Sequence, residues 1–239
     1  MIYTNIRSAV FLERPNRFVA RVRLDGAEMT VHVKNTGRCG ELLLPGARVY
    51  LEDFTGRMGS RKLAYSLIAV EKQREKAPPL LVNMDAQAPN RVTKEALLTG
   101  TLSLPGLGRL GTVKPETVFG SSRLDFFVRD EAGQEGYLEV KGVTLEHDGV
   151  ASFPDAPTER GVKHLRELSE LAERGLRAYV LFVIQMGQMH VFRPNAERHP
   201  AFAAALRDAV GHGVEALAYD CIVTRDTMTL HAPISISLG

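Results

Sequence analysis

The sequence predicts a mixed α/β, or α+β, protein. A small five-stranded β-barrel is expected in residues 1–80, and an α/β domain with a central mixed sheet in residues 81–239. Three observations predict this. Strand-like alternation recurs at short intervals through the first third of the chain. A well-capped amphipathic helix leads into a continuous apolar run in the second half. A Pro-rich stretch without clear periodicity, APPLLVNMDAQAPN (77–90), divides the two and reads as a linker.

The first third supplies the barrel strands. RFVARVRLD sets Phe18, Ala20, Val22 and Leu24 against Arg17, Arg21, Arg23 and Asp25, a period of two. Asp25-Gly26 is a hairpin signal, and EMTVHVK resumes the alternation through Met29, Val31 and Val33. RSAVFLER, residues 47–53 and residues 62–70 complete the set, the last two separated by the Gly-rich TGRMGSR. Short strands in this number favour closure, because a barrel leaves no exposed edge.

The remainder alternates strands with helices. Residues 92–98 look helical, and SRLDFFVRD and GYLEVKGVTLE form a hairpin across EAGQEG. In PTERGVKHLRELSELAERG, Thr158 is the expected cap, Val162, Leu165, Leu168 and Ala172 the apolar face, and Gly175 the stop. RAYVLFVIQM reads as a strand buried on both faces. A helix over about 200–211 and a strand over 216–223 follow.

Composition narrows the function classes. Charged residues at 24% and hydrophobic residues at 44% describe a globular chain, and no apolar run approaches the ~20 residues of a membrane span. The N-terminus does not read as a secretory signal, and no membrane partner is expected. Only Cys39 and Cys221 occur, far apart, which argues against a disulfide framework or cysteine zinc site and fits a cytoplasmic protein. Residues 1–85 carry 14 Lys and Arg against 9 Asp and Glu, whereas residues 86–239 carry 16 against 19. A basic, Arg-rich first third suits a polyanionic partner, although surface solvation would also produce it.

The chemistry-bearing cluster lies on the expected hairpin. Tyr137, Glu139 and Lys141 share one face of LEVKG's strand. If the turn centres near Ala132, Asp125 falls opposite Glu139 and Arg123 opposite Lys141. Facing like charges destabilise a sheet, and a divalent cation between the carboxylates would reverse that. Mg²⁺ or Mn²⁺ suits two carboxylates with the backbone carbonyl of Val140 as third ligand. Lys141 would orient a water or stabilise phosphoryl charge. The alternative from spacing is a pair of surface salt bridges, Asp125–Lys141 and Arg123–Glu139.

Other residues carry paired readings. Glu116 is a further acidic ligand or a solvated acid, and Glu95 a weaker candidate for the same part. Gln185, at the end of the buried run, reaches the site or DNA as an auxiliary residue, or satisfies nearby backbone. Arg160 and Lys163, at a helix N-terminus, can hold phosphate or form ordinary i,i+4 pairs such as Lys163–Glu167. His164 reads as structural, and the seven His show no metal-type spacing. On the barrel, Arg17, Arg21, Arg23, Lys34 and Arg38 form the expected nucleic-acid surface, through backbone contact more than base stacking.

The runs GSSRLDFFV, YLEVKGVTL and ASFPDAPTERGVKHLREL resemble the signature of the sugar fermentation stimulation protein A (SfsA) family, supported by NTGRCGELLLPG, LFVIQM and VFRPN. The resemblance covers nearly the whole chain. It implies an N-terminal OB-fold barrel followed by a PD-(D/E)xK nuclease-like domain. Asp125 corresponds to the first acid of that motif, preceded here by Leu124 rather than Pro, and Glu139 and Lys141 to its (D/E)xK pair. The resemblance also implies DNA binding and a link to regulation of sugar (maltose) metabolism. The functional expectation is a DNA-binding protein, acting on duplex DNA, with a metal site competent for Mg²⁺-dependent phosphodiester hydrolysis. The alternative is a non-catalytic DNA-binding transcriptional regulator. An RNA- or sugar-nucleotide-acting protein stays open because phosphate contacts carry no base information. Assembly as a homo-oligomer is equally open.

Overall fold

The computed structural model describes residues 1–35, 37–75, 77–119 and 122–239. Thr36 of NTGRCG, and Gly120 and Ser121 of GSSRLDFFV, lie outside the described residues. The chain divides into two compact units. The first comprises Met1–Ala88 with Gln185–Gly187 and Cys221–Thr229, and the second comprises Pro89–Ile184, Gln188–Asp220 and Leu230–Gly239.

The first unit is a closed OB-like barrel. Its strands are β1 (Ile6–Asn16), β2 (Val19–Leu24), β3 (Ala27–Val33), β4 (Arg48–Asp53) and β5 (Tyr65–Lys72), ordered β3-β2-β1-β4-β5. Parallel pairing of His32 with Ser66 and Val33 with Leu67 joins β3 to β5 and closes it. The long β1 serves two neighbours: residues 6–10 pair with β4 and residues 10–16 with β2. Register shifts after Phe11 and Glu13 bend it between the two. Asp25 and Gly26 both take positive φ, +51° and +85°, as the Asp-Gly turn of a β2–β3 hairpin requires. Inside the barrel, Phe11, Ala20, Val22, Val31, Val33, Val49, Leu51 and Leu67 are all buried. Arg21 and Arg23 alternate outward.

Two expectations change here. Arg17 and Phe18 belong to the β1–β2 turn rather than to β2, and Phe18 is 50% exposed, so it does not join the inward row. Asn16 Oδ1 accepts from the Phe18 N–H at 2.9 Å, which holds that turn. Within the stretch read as a linker, Leu80–Asn83 forms β6, antiparallel to β5, with Leu80 and Val82 buried. Pro78 and Pro79 precede the strand and Pro89 follows it, so none costs it a ladder hydrogen bond.

The second unit is a mixed sheet with helices. β7 (Leu110–Phe119), β8 (Ser122–Asp130), β9 (Glu135–Val143), β12 (Arg177–Ile184), β14 (Glu215–Val223) and β15 (Met228–Pro233) are ordered β15-β14-β12-β9-β8-β7. β12 is parallel to both β9 and β14, while β8 is antiparallel to β7 and β9. Flanked on both sides, β12 has every residue from Ala178 to Ile184 buried, which accounts for its unbroken apolar run. A smaller sheet joins β10 (Leu145–His147), β11 (Val150–Phe153), β13 (Val191–Pro194) and β16 (Ser235–Ile236). The helices are α1 (Ala88–Thr99), α2 (Glu159–Glu173) and α3 (Pro200–Gly211). Thr158 caps α2, its hydroxyl accepting from Gly161 N at 3.0 Å, and Gly175 takes φ +79° just beyond the end. The buried face of α2 contains Val162, His164, Leu165, Leu168 and Leu171, with Leu171 rather than Ala172 completing the stripe.

Candidate active site

The β8–β9 hairpin positions the acids. Arg129 pairs with Glu135, Val128 with Gly136, Phe127 with Tyr137 and Phe126 with Leu138. That register centres on Ala132, because each pair is equidistant from it. Asp130 fixes the turn. Its Oδ1 accepts from Gln134 N at 2.8 Å and its Oδ2 from Gly108 N at 2.9 Å. The Gly108 and Gln134 amides hold the Asp130 carboxyl below the usual carboxylate range.

Asp125 follows directly beyond the paired residues. Its Oδ2 accepts from the backbone N–H of Val140 at 2.8 Å, and its Oδ1 from Asn90 Nδ2 of α1 at 2.8 Å. A side chain thus replaces main chain at this end of the hairpin. Burial, helped by the nearby Glu139 charge, pushes the Asp125 carboxyl above its ordinary value, and the Val140 and Asn90 donors offset only part of that.

Glu139 is 3% exposed. Its Oε1 accepts from Lys141 Nζ at 2.6 Å and pairs closely with Nδ1 of His164. Arg160 Nε lies 3.3 Å from His164 Nε2. A guanidinium can only donate, so Nε2 is the acceptor, and the hydrogen on Nδ1 points to Glu139. Burial pushes Glu139 upward, yet the His164 and Lys141 hydrogen bonds and the Lys141 charge outweigh it and hold the carboxyl below its usual range. Its second oxygen, Oε2, is buried without a hydrogen-bond partner. Such an orphan normally costs ~1–3 kcal/mol.

The ion pairs expected as the alternative do not form. Lys141 pairs with Glu139 on its own strand, and Arg123 pairs with Glu116 at 3.3 Å. Arg123 sits opposite Val118 of β7, which draws it to that neighbour and away from Lys141. Glu116 is exposed and takes φ +53°, an uncommon conformation for a non-glycine residue. Its carboxylate meets Arg123, and Glu95 is exposed on α1.

Gln185 belongs to the first unit. Its Nε2 donates to Asn83 O, Asn83 Oδ1 and Asp85 O at 3.0–3.1 Å, which satisfies backbone there. The basic residues divide by environment. Arg21 pairs with Glu13 at 3.0 Å and Arg23 with Glu28 at 3.9 Å, both on the surface. The Arg17 guanidinium lies over the Phe18 ring, and Arg38 is exposed. Lys34 is largely enclosed, 3.0 Å from the fully buried Asp85 and 3.5 Å from Glu52. Lys163 is exposed and approaches Glu167 at 3.7 Å.

Three residues were not singled out in these roles from the sequence. Asn90 lies in the stretch read as a linker, where no periodicity marked it. His164 belongs to the site through Glu139; its spacing from Leu165, Leu168 and Leu171 was the available signal that it faces inward. Arg14 donates to four backbone carbonyls, those of Arg17, Asn35, Gly37 and Arg38, and so ties the β1–β2 turn to the loop after β3.

An OB-like barrel combined with a mixed α/β unit that sets the buried carboxylate of Glu139 and the half-buried one of Asp125 beside a lysine defines the class: a two-unit protein whose second unit holds an acidic site. More particularly, the chain belongs to the sugar fermentation stimulation protein family. The family model described as "Sugar fermentation stimulation protein RE domain" matches residues 87–227, and that described as "SfsA N-terminal OB domain" matches residues 12–77. A sugar fermentation stimulation protein homolog of Desulfitobacterium hafniense is 49% identical over 239 residues, covering 100% of this chain and 99% of that protein. One from Alkaliphilus oremlandii is 45% identical, with 99% and 98% covered. The structure of Pyrococcus furiosus SfsA in complex with Ca²⁺ superposes with a TM-score of 0.85 at 27% identity, covering 99% of this chain and 98% of that one.

Among the described residues no helix is long and apolar enough to cross a membrane, and no three His, Cys, Asp or Glu side chains form a ready metal cluster. The acidic site therefore offers two carboxylates rather than a full cage. Hard cations that keep several waters need no more protein ligands than this.

Proposed function

We propose that the chain is a cytoplasmic DNA-binding protein with a PD-(D/E)xK nuclease-like site that hydrolyses phosphodiesters with Mg²⁺ or Mn²⁺. The observation that carries this reading is the Glu139 carboxylate: one oxygen is fixed by Lys141 and His164, while the other is buried without a partner, and the Glu139 charge acts on Asp125. A resident cation would satisfy that oxygen and offset the repulsion between the Asp125 and Glu139 charges. The donors are hard oxygens, as such ions prefer. Asp125 and Glu139 Oε2 would be the side-chain ligands. A strand residue presents its N–H and C=O toward the same neighbour, so the Val140 carbonyl would be available on Asp125's side as a third ligand. The Ca²⁺ of the Pyrococcus furiosus relative supports a divalent-cation site in this family member as well.

A bound cation would supply Lewis-acid activation of water and neutralise charge on the scissile phosphate. The chain's own residues do the positioning. Asn90 and the Val140 amide hold Asp125, His164 and Lys141 hold Glu139, and the Lys141 ammonium would stabilise charge developing on a phosphoryl oxygen. Arg17, Arg21, Arg23 and Arg38 on the barrel, and Arg123, Arg160 and Lys163 on the second unit, would meet DNA phosphates. Through DNA, the protein would take part in regulating sugar use.

The test is incubation of the wild type with duplex, single-stranded and branched DNA and Mg²⁺ or Mn²⁺, beside Asp125→Ala and Glu139→Ala. Cleavage by the wild type alone is expected. Cleavage that survives in both variants contradicts the site, and binding without cleavage by the wild type favours the non-catalytic regulator.

A further inference from the structure

The helix that fixes Asp125 carries a second buried polar residue. α1 buries Val92, Thr93, Ala96 and Leu97 and leaves Arg91, Lys94 and Glu95 exposed. Asn90 lies one turn before Thr93, and residues three apart on a helix are neighbours. A helical side chain covers the turn N-terminal to its own Cα. Thr93 therefore leans over the turn from which Asn90 Nδ2 donates to Asp125 Oδ1 at 2.8 Å.

Thr93 is fully buried, yet its hydroxyl has no hydrogen-bond partner, and it is the one hydroxyl in that state among the described residues. Packing alone does not call for it. Valine has the same branched shape, and burying a hydroxyl without a partner is unfavourable. A threonine in a helix commonly turns its hydroxyl onto the carbonyl three or four residues back. Thr99 does so on this same helix, donating to Glu95 O at 2.9 Å and to Ala96 O at 3.4 Å. Thr93 does not, so its hydroxyl is left for a group that the chain does not supply. A water is the smallest such group, and a buried water typically bonds about three polar groups. The Thr93 hydroxyl, the Asn90 carboxamide and the Asp125 carboxylate are of that kind. A hard cation with few protein ligands keeps several waters, and the groups that hold a metal's first shell tune its affinity.

We propose that Thr93 is a positioning residue of the acidic site: its hydroxyl holds a water of the divalent cation's hydration shell on the Asn90 side of Asp125. This rests on the reading of Asp125 and Glu139 as cation ligands and extends the outer shell of that site to α1. Asn90 fixes the carboxylate, and Thr93, one turn on, fixes the water beside it. Thr93 touches neither substrate nor the reacting atoms and acts through the water it holds.

The experiment is a calorimetric titration of the full chain with Mn²⁺ in the wild type, Thr93→Val and Thr93→Ser, beside thermal melts of each cation-free protein. Valine keeps the packing and removes the hydroxyl, whereas serine keeps the hydroxyl and removes a methyl. Thr93→Val should bind Mn²⁺ about 10-fold more weakly. Thr93→Ser should bind it as the wild type does while melting at a lower temperature. A role in packing alone reverses that order. Unchanged Mn²⁺ affinity in Thr93→Val, or equal weakening in both variants, overturns the inference and leaves the cation reading intact. If Thr93→Val does not fold, Thr93→Ala against Thr93→Ser decides in the same way, since both lack the methyl and only one carries the hydroxyl. Absence of Mn²⁺ binding by the wild type overturns the cation reading and this inference with it.

Discussion

Nδ1 of His164, on the buried face of α2, closes on Oε1 of Glu139 in β9, and Arg160 donates to the opposite ring nitrogen. The helix thereby fixes which carboxylate oxygen stays open. A residue that orients a ligand in this way usually changes metal affinity by about 10–100-fold when removed. His164→Ala should weaken divalent-cation binding by that amount in a calorimetric titration. Unchanged affinity would mean that His164 only packs.

Cation binding should also appear as thermal stabilisation. At 100 times Kd the gain is ~2.7 kcal/mol, and Asp125→Ala or Glu139→Gln should abolish it. The pH dependence has a defined sign. Asp125's folded pKa lies above its ordinary 3.8, so the cation-free protein holds this proton more tightly than the unfolded chain does. Stability from that proton is full below 3.8 and is lost as pH rises through the raised value. A cation requires the ionised form, so its stabilising effect should fade as pH drops through that same value. Cation stabilisation that is constant across this window would contradict the assignment of Asp125 as ligand.

Lys34 and Arg21 are both basic barrel residues, yet their environments predict opposite consequences. Lys34 compensates the fully buried Asp85, whereas Arg21 forms an exposed pair with Glu13. Removing one partner of a buried pair costs ~3–5 kcal/mol, and an exposed pair contributes ~0–1 kcal/mol. Urea unfolding should show Lys34→Ala strongly destabilised and Arg21→Ala nearly unchanged. Similar midpoints for the two would contradict the distinction.

That contrast also marks what the sequence could convey. Period-two alternation located β2, β3 and the hairpin, since it depends only on which face each residue buries. The Asp-Gly turn followed from local chemistry, and the register centred on Ala132, taken there as a condition, is the one β8 and β9 adopt. The hairpin put Asp125 near Glu139, but spacing equally allowed ion pairs with Lys141 and Arg123, and only the family resemblance pointed to an acidic site. Lys34's enclosure was not, because it depends on Asp85, far along the chain, returning beside β3. His164 and Asn90 were missed as partners for the same reason: each reaches its carboxylate from a different element. Phe18 was placed inward because alternation cannot tell a strand's first residue from the turn before it.

The turn residue Asp130 gives a second test in pH. Its folded pKa is lowered by the Gly108 and Gln134 amides. The stability it contributes is present above the unfolded value of 3.8 and is lost as pH falls through the lower folded one. Asp130→Ala should lower Tm at neutral pH, and the difference from wild type should shrink on acidification below that point. A difference that persists unchanged at acid pH would mean that the carboxylate's charge is not what holds the turn.

In the proposed site Asp125 and Glu139 share a divalent cation. Anomalous scattering from crystals grown with Mn²⁺ tests it most directly. The prediction is a peak bonded to Asp125 and to Glu139 Oε2, with the Val140 carbonyl in its shell, absent in Glu139→Gln. A fully occupied peak elsewhere with this position empty, or a peak here that survives Glu139→Gln, would contradict it.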